Sequence, residues 1–87
     1  MTTFHLIVSS PDDNLFDGNV IKLDVRGTEG DLAVMAGHAP LVTSLVEAPV
    51  SIWTEDDTER KATAKGGLLT VGKDLATLIS GSFRFEE

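Results

Sequence analysis

Val20-Ile21-Lys22-Leu23-Asp24-Val25-Arg26 decides the fold class, because Ile21, Leu23 and Val25 alternate with Lys22, Asp24 and Arg26. Successive side chains of a β-strand point to opposite faces, so this period of two predicts one face on a core and one in water. Upstream, Phe4-His5-Leu6-Ile7-Val8 reads as a strand ended by the turn cluster Ser9-Ser10-Pro11-Asp12-Asp13. Residues 14–17 leave room for only a very short strand before Gly18. Downstream, short apolar runs at 31–35, 41–46, 50–54, 59–64, 68–71 and 75–80 are separated by turn signals. Glu55-Asp56-Asp57-Thr58 reads as a hairpin tip and Gly66-Gly67 as a corner or bulge. Gly72-Lys73-Asp74 closes a last hairpin, with residues 82–85 as its fraying end. Apolar residues nowhere recur at helical spacing for three turns. The chain is therefore expected to be all-β, a flattened sandwich or barrel of about ten short, mostly antiparallel strands.

The 87 residues form one domain, with no room for a second core. Fourteen acids against seven bases give a net charge of −7. That balance excludes nucleic acid, whose phosphates need a basic stripe, and disfavours an anionic lipid surface. A basic partner would be drawn to it. No cysteine is present, so thiol chemistry and disulfides are excluded. No apolar run approaches the roughly 18 residues that span a bilayer, and no basic leader precedes an apolar one, so direct membrane insertion is not expected.

The densest mixture of turn signals lies between residues 26 and 45, RGTEGDLAVMAGHAPLVTSL. Glu29 and Asp31 stand on a loop framed by Gly27 and Gly30, and a second turn, Gly37-His38-Ala39-Pro40, comes after it. Pro40 forces Ala39 into an extended conformation, and Gly37 is free to take a positive φ, so His38 caps a stiff corner. A preformed corner loses less entropy on binding. This rim reads as a docking edge.

Each catalytic or metal reading has a plainer alternative. Gly67-Leu68-Leu69-Thr70-Val71-Gly72-Lys73 fits the start of a phosphate-binding loop, but Asp74 replaces the required hydroxyl and Leu-Leu-Thr-Val reads as strand. Asp31, His38 and Ser44 supply the residue types of a hydrolase triad without a nucleophile elbow. The plainer reading of His38 is a turn residue whose ring bonds nearby backbone. His5 and His38 lie far apart, and Glu55-Asp56-Asp57 lacks calcium-loop spacing. No catalytic residue, metal site or cofactor is expected. Phe16, flanked by polar turns, is a candidate partner-facing aromatic.

The run Gly30-Asp31-Leu32-Ala33-Val34-Met35-Ala36-Gly37-His38-Ala39-Pro40-Leu41-Val42-Thr43 resembles the GDLGVLPGHAPL-T signature of the epsilon subunits of F-type ATP synthases, called delta in mitochondria. Leu6-Ile7-Val8-Ser9 with Leu15-Phe16-Asp17-Gly18 is similar to the family's opening blocks, and Gly66-Gly67-Leu68-Leu69-Thr70-Val71 to its later GGfLeV block. Met35-Ala36 stands where the family usually has Leu-Pro, Ala33 replaces a common glycine, Ala48-Pro49 a Pro-Gly turn, and Leu68 an aromatic. Family members generally continue for roughly 45 residues as a helical hairpin. That hairpin carries their ATP-binding and rotation-blocking elements, so no ATP binding is expected here. The reading is a short form, natural or truncated, with the Met1 start favouring the natural one.

The resemblance implies a non-catalytic rotor subunit of the central stalk, docking the gamma subunit onto the membrane c ring of a proton- or sodium-driven ATP synthase. It implies a peripheral location on the cytoplasmic face of a bacterial inner membrane. Glu29, Gly30 and Asp31 match the family loop that faces the c ring. His38, Ala39, Pro40 and Thr43 match positions that face gamma, with Leu15 and Phe16 as further gamma-facing candidates. The competing expectation is a free-standing β-sandwich that binds or regulates an unrelated partner.

Overall fold

The structure, a computed structural model, describes residues 2–86. It contains nine strands and no helix: β1 (Phe4–Ser9), β2 (Asn14–Gly27), β3 (Gly30–Met35), β4 (Leu41–Leu45), β5 (Ala48–Thr54), β6 (Glu59–Ala64), β7 (Gly67–Val71), β8 (Leu75–Ile79) and β9 (Arg84–Phe85). The all-β reading holds. Strand pairs are antiparallel except β1 with β8.

One strand organises the rest. The first half of β2 pairs with β1, from Phe16 against Val8 to Val20 against Phe4. Its second half takes β3 on one edge and β5 on the other. One layer is thus β2–β1–β8–β7–β4, rejoining β2 where Leu45 meets Gly27, and the other is β3–β2–β5–β6–β9. Leu6, Val8, Val20, Leu23, Val34, Ile52, Leu69 and Leu78 are fully buried between the layers. Each such side chain contributes about 1.5–3 kcal/mol. They hold a sandwich of 30 × 28 × 22 Å.

Three details differ from the sequence expectation. Residues 14–17 and 20–26 are one strand, because Gly18 and Asn19 pair with Leu6 and His5 and the ladder carries the backbone through the glycine. Nine strands result. The alternation within residues 20–26 also slips. The register against β5 shifts between Val20 and Lys22, so Val20 joins Leu23 and Val25 in the core while Ile21 is only half-buried. An extra residue in one strand has this effect because it turns the downstream residues over by one face. Finally, β9 is not the fraying end of the β7–β8 hairpin. It crosses to the other layer and pairs with β6, Ala62 against Phe85.

The segment that makes this crossing packs against the corner predicted at Gly66-Gly67, which joins β6 to β7. Both take positive φ, 139° and 149°, and a Cβ on Gly67 would collide with the Ile79 carbonyl oxygen. Ser80 Oγ donates to the Gly66 carbonyl at 2.5 Å, and Ser82 Oγ accepts from the Lys65 amide at 2.9 Å. Backbone groups left over by the corner are bonded by these two hydroxyls.

Candidate partner-binding surface

The predicted rim folds as a tight hairpin and then a stiff turn. Gly27 faces Gly30 across Thr28-Glu29, and Arg26 faces Asp31. Arg26 Nε donates to Asp31 Oδ1 at 2.8 Å, both side chains being exposed. The carboxylate, by that hydrogen bond and its charge, holds the Arg26 guanidinium still further above its ordinary range. Glu29, one residue before Gly30, makes no ion pair among the described residues. The rim therefore offers one neutralised pair and one free carboxylate.

Gly37 has φ 84°, the His38 amide donates to the Met35 carbonyl at 3.1 Å, and His38 Nδ1 donates to the Ala39 carbonyl at 2.6 Å. The carbonyl can only accept, so Nδ1 carries the proton. The ring is thus occupied with its own turn, and Asp31 with Arg26; neither hydrogen-bonds Ser44. Ala39 and Pro40 are exposed beside it. Residues 68–71 lie in β7, so the phosphate-loop pattern has no loop to act through. No group of three or more His, Asp or Glu suited to a metal ion occurs among the described residues.

Glu29, Gly30, Asp31 and Thr43 come together around a groove of about 230 Å³ between β3 and β4, with Leu32 and Leu41 among its walls. Leu15 and Phe16 are not part of it. Phe16 is half-buried and turned onto the core, 6.4 Å from the Phe85 ring, which meets Phe83 edge-on at 5.1 Å. The Arg60 guanidinium lies 3.9 Å above Phe85, so this aromatic cluster is covered by the chain's own cation.

A feature that sequence reasoning missed is the outer face of β1, β4, β7 and β8. Every second residue there points away from the core: His5, Ile7 and Ser9, Val42 and Ser44, Leu68 and Thr70, Leu75, Thr77 and Ile79. Val42 is 67 % exposed, and Leu68, Leu75 and Ile79 are each more than 40 % exposed. Pairing aligns Ser44 with Leu68 and Ile79, and Val42 with Thr70 and Thr77. No Asp, Glu, Lys or Arg stands among these outward residues; His5, bonded to Asp17 at 2.5 Å, is the only titratable side chain on β1. The readable signal was the absence of any charge from residues 41–45 and 67–71, in a chain of 21 formally charged side chains (14 acids and 7 bases).

Comparison with known proteins agrees with this architecture. The family described as "ATP synthase, Delta/Epsilon chain, beta-sandwich domain" matches residues 3–85. The chain is 40 % identical over 86 residues to an ATP synthase epsilon chain of Nitrobacter winogradskyi, covering 91 % of this chain and 63 % of that one. It is 42 % identical to ATP synthase epsilon chain 1 of Nitrobacter hamburgensis over the same shares. It thus spans less than two thirds of the length of these relatives. Among solved structures, a chain of the Euglena gracilis mitochondrial ATP synthase (OSCP/F1/c-ring) superposes with TM-score 0.90 at 18 % identity, covering 98 % of this chain and 54 % of that one. A chain of the Tetrahymena thermophila mitochondrial ATP synthase central stalk and c-ring gives 0.75 at 14 % identity, over 92 % of this chain and 64 % of that one. At those identities the likeness is one of fold. With its strands, its glycine corner and its GHAP turn accounted for, the chain belongs to the β-sandwich family of ATP synthase delta/epsilon chains.

Proposed function

We propose that this domain is a central-stalk subunit of an F-type ATP synthase that docks the gamma subunit onto the membrane c ring and passes rotation between them. It does no chemistry of its own. The observation that carries the reading is the outer face of β4, β7 and β8, which has no charged side chain and exposes Val42, Leu68, Leu75 and Ile79. Apolar area of that kind in contact with water is offset only when a partner covers it.

Magnitudes say how it must be used. Four strands, counting β1, about 4.8 Å apart and five residues long at about 3.4 Å each make a patch of roughly 320 Å². A persistent interface needs about 1,000 Å² in total, or roughly 500 Å² from each partner. The face alone falls short, so the adjoining rim must be covered too, and β4 belongs to both. Gamma then lies on the face and reaches the turn of His38, Ala39, Pro40 and Thr43. Leu15 and Phe16 contribute from beneath through the packing of β2. Glu29, Gly30 and Asp31 meet the basic polar loops of the c ring. Exposed charge pairs are worth about 0–1 kcal/mol each, so apolar contact holds the assembly and the carboxylates set its register.

On this reading the protein is peripheral, on the cytoplasmic face of a bacterial inner membrane, in a proton- or sodium-driven enzyme. The domain itself is not expected to bind ATP, and calorimetric binding in the micromolar range would overturn that part. The central test is affinity capture from detergent-solubilised membranes. Gamma and the c ring are expected in the eluate. A soluble complex with a different protein would instead establish a free-standing binding module and end the rotor reading.

A further inference from the structure

The second layer has two ends, and they are finished differently. At one end β9 is two residues long and carries Arg84, the short, charged edge by which native sheets avoid unwanted pairing. At the other end β3 is six residues long and pairs only with β2. It carries no lysine, no proline and no register shift. Its one charged side chain, Asp31, is neutralised by Arg26.

The hydrogen-bond phase of β3 is set by its hairpin. With Gly27 opposite Gly30 across a two-residue turn, Gly30, Leu32 and Val34 bond toward β2, and Asp31, Ala33 and Met35 turn their backbone groups outward. β2 has the matching phase. The Thr28 amide and the Arg26 carbonyl leave on its other edge, where they bond the Ser44 carbonyl and the Val46 amide of the β4 segment. The Met35 carbonyl is taken by the His38 amide. The amides and carbonyls of Asp31 and Ala33 have no backbone partner among the described residues. Asp31 lines the groove of Gly27, Leu32, Leu41 and Thr43, and Ala33 follows it along the same edge.

We infer that β3 is a strand-addition site, completed by an extended segment of a partner polypeptide that carries a basic residue. Only a polypeptide in extended form presents donors and acceptors at the spacing of a free ladder edge. Side chains of the added strand alternate. One set enters the apolar seam beside Leu32 and Leu41, and the other stands outside near Asp31 and Ala33. Glu29, unpaired at the start of the strand, supplies the preference for a basic residue. A second copy of the chain is disfavoured, because β3–β3 pairing would set one net charge of −7 against another.

The site stands on the free edge, independently of which machine the domain belongs to, so it is tested on the domain alone. The probe is a synthetic decapeptide of five Lys-Val repeats at millimolar concentration, with amide hydrogen exchange read at Asp31 and Ala33. Exchange at both amides is expected to slow by at least about tenfold. The same residues in block order, and a version N-methylated at alternate residues, should give no slowing. Ala33→Pro removes an outward amide without touching the β2 ladder, so it should keep the fold and lose the effect, while Ala33→Thr keeps both. Unchanged exchange with the repeat peptide overturns the proposal, as does equal slowing by the N-methylated one. Protection that arises from dimerisation of the free domain also overturns it. Capture of gamma and the c ring by a domain whose amides ignore the peptide would leave the rotor reading standing while this inference falls.

Discussion

The two outer faces of the sandwich are built from similar strands and present opposite chemistry. On the β3–β2–β5–β6 side, Lys22 lies 3.6 Å from Asp24, Arg26 bonds Asp31, and Ser51 Oγ donates to Glu59 at 2.8 Å. Charges there are matched within the chain and suit water. On the β1–β8–β7–β4 side, the outward positions of the last three strands are Thr, Ser, Val, Leu and Ile. A sheet alternating apolar-in with polar-out has no physical need for Leu68 and Ile79 outside. The difference separates a face suited to solvent from the face proposed above to be covered by a partner.

The comparison depends first on the corner that holds β7 against β8. Gly67→Ala should cost about 3 kcal/mol, since its Cβ would meet the Ile79 carbonyl at a φ that L-residues avoid. Gly37→Ala, with nothing within 4 Å of the new Cβ, should cost only about 1–2 kcal/mol. Urea denaturation of both variants checks this, and equal costs would mean that the corner is not the constraint. Next in size is the face itself. Leu68→Lys with Ile79→Lys should weaken capture of the rotor partners by about 100-fold, near 2.8 kcal/mol, with the melting temperature within about 2 °C of wild type. The control on the charged face, Lys22→Ala with Asp24→Ala, should leave capture unchanged. If the control loses binding and the lysine pair does not, the assignment of the two faces is reversed.

A smaller effect is expected at the rim. Asp31→Lys should leave the fold intact, because the Arg26 pair it breaks is exposed to solvent and screened by it. In the assembled enzyme it should weaken coupling of ATP hydrolysis to ion pumping by roughly threefold. Normal coupling would remove the charge role of Asp31.

The smallest effect is the most local. At the β5–β6 hairpin tip, the Thr54 hydroxyl bonds the Asp56 carboxylate and holds it below the ordinary value of 3.8. A carboxyl group with a lowered folded value stabilises the native state wherever it is ionised in both states, and that contribution is lost as pH falls through the lowered value. Thr54→Val should therefore flatten the acid limb of a stability-against-pH curve and leave capture of partners unaltered. An acid limb identical to wild type would show that the tip contributes nothing.

Much of this was legible in the residues because it is local chemistry. Gly37 before His38 and Pro40, the double glycine at residues 66–67, and the acidic tip at residues 55–58 each act within a few residues, and each took the predicted form. The His38 ring bonding nearby backbone was legible for the same reason. What failed was non-local. Gly18 read as a break, but β1 pairs straight through it. Ile21 read as core, but the shifted register against β5 puts Val20 there. Phe16 read only as a candidate partner-facing aromatic of undecided burial, and it is Phe85 and Arg60, distant in sequence, that leave it half-buried.

The alternation of residues 20–26, the glycine and proline punctuation and the lack of helical period were enough to make the chain all-β, since side-chain direction and turn geometry are properties of neighbouring residues. Which apolar residues would be left outside was settled only by tertiary structure. Leu68 and Leu69 are chemically the same, and one is exposed while the other is fully buried. Pairing register alone distinguishes them, because a shift of one residue exchanges the two faces of a strand.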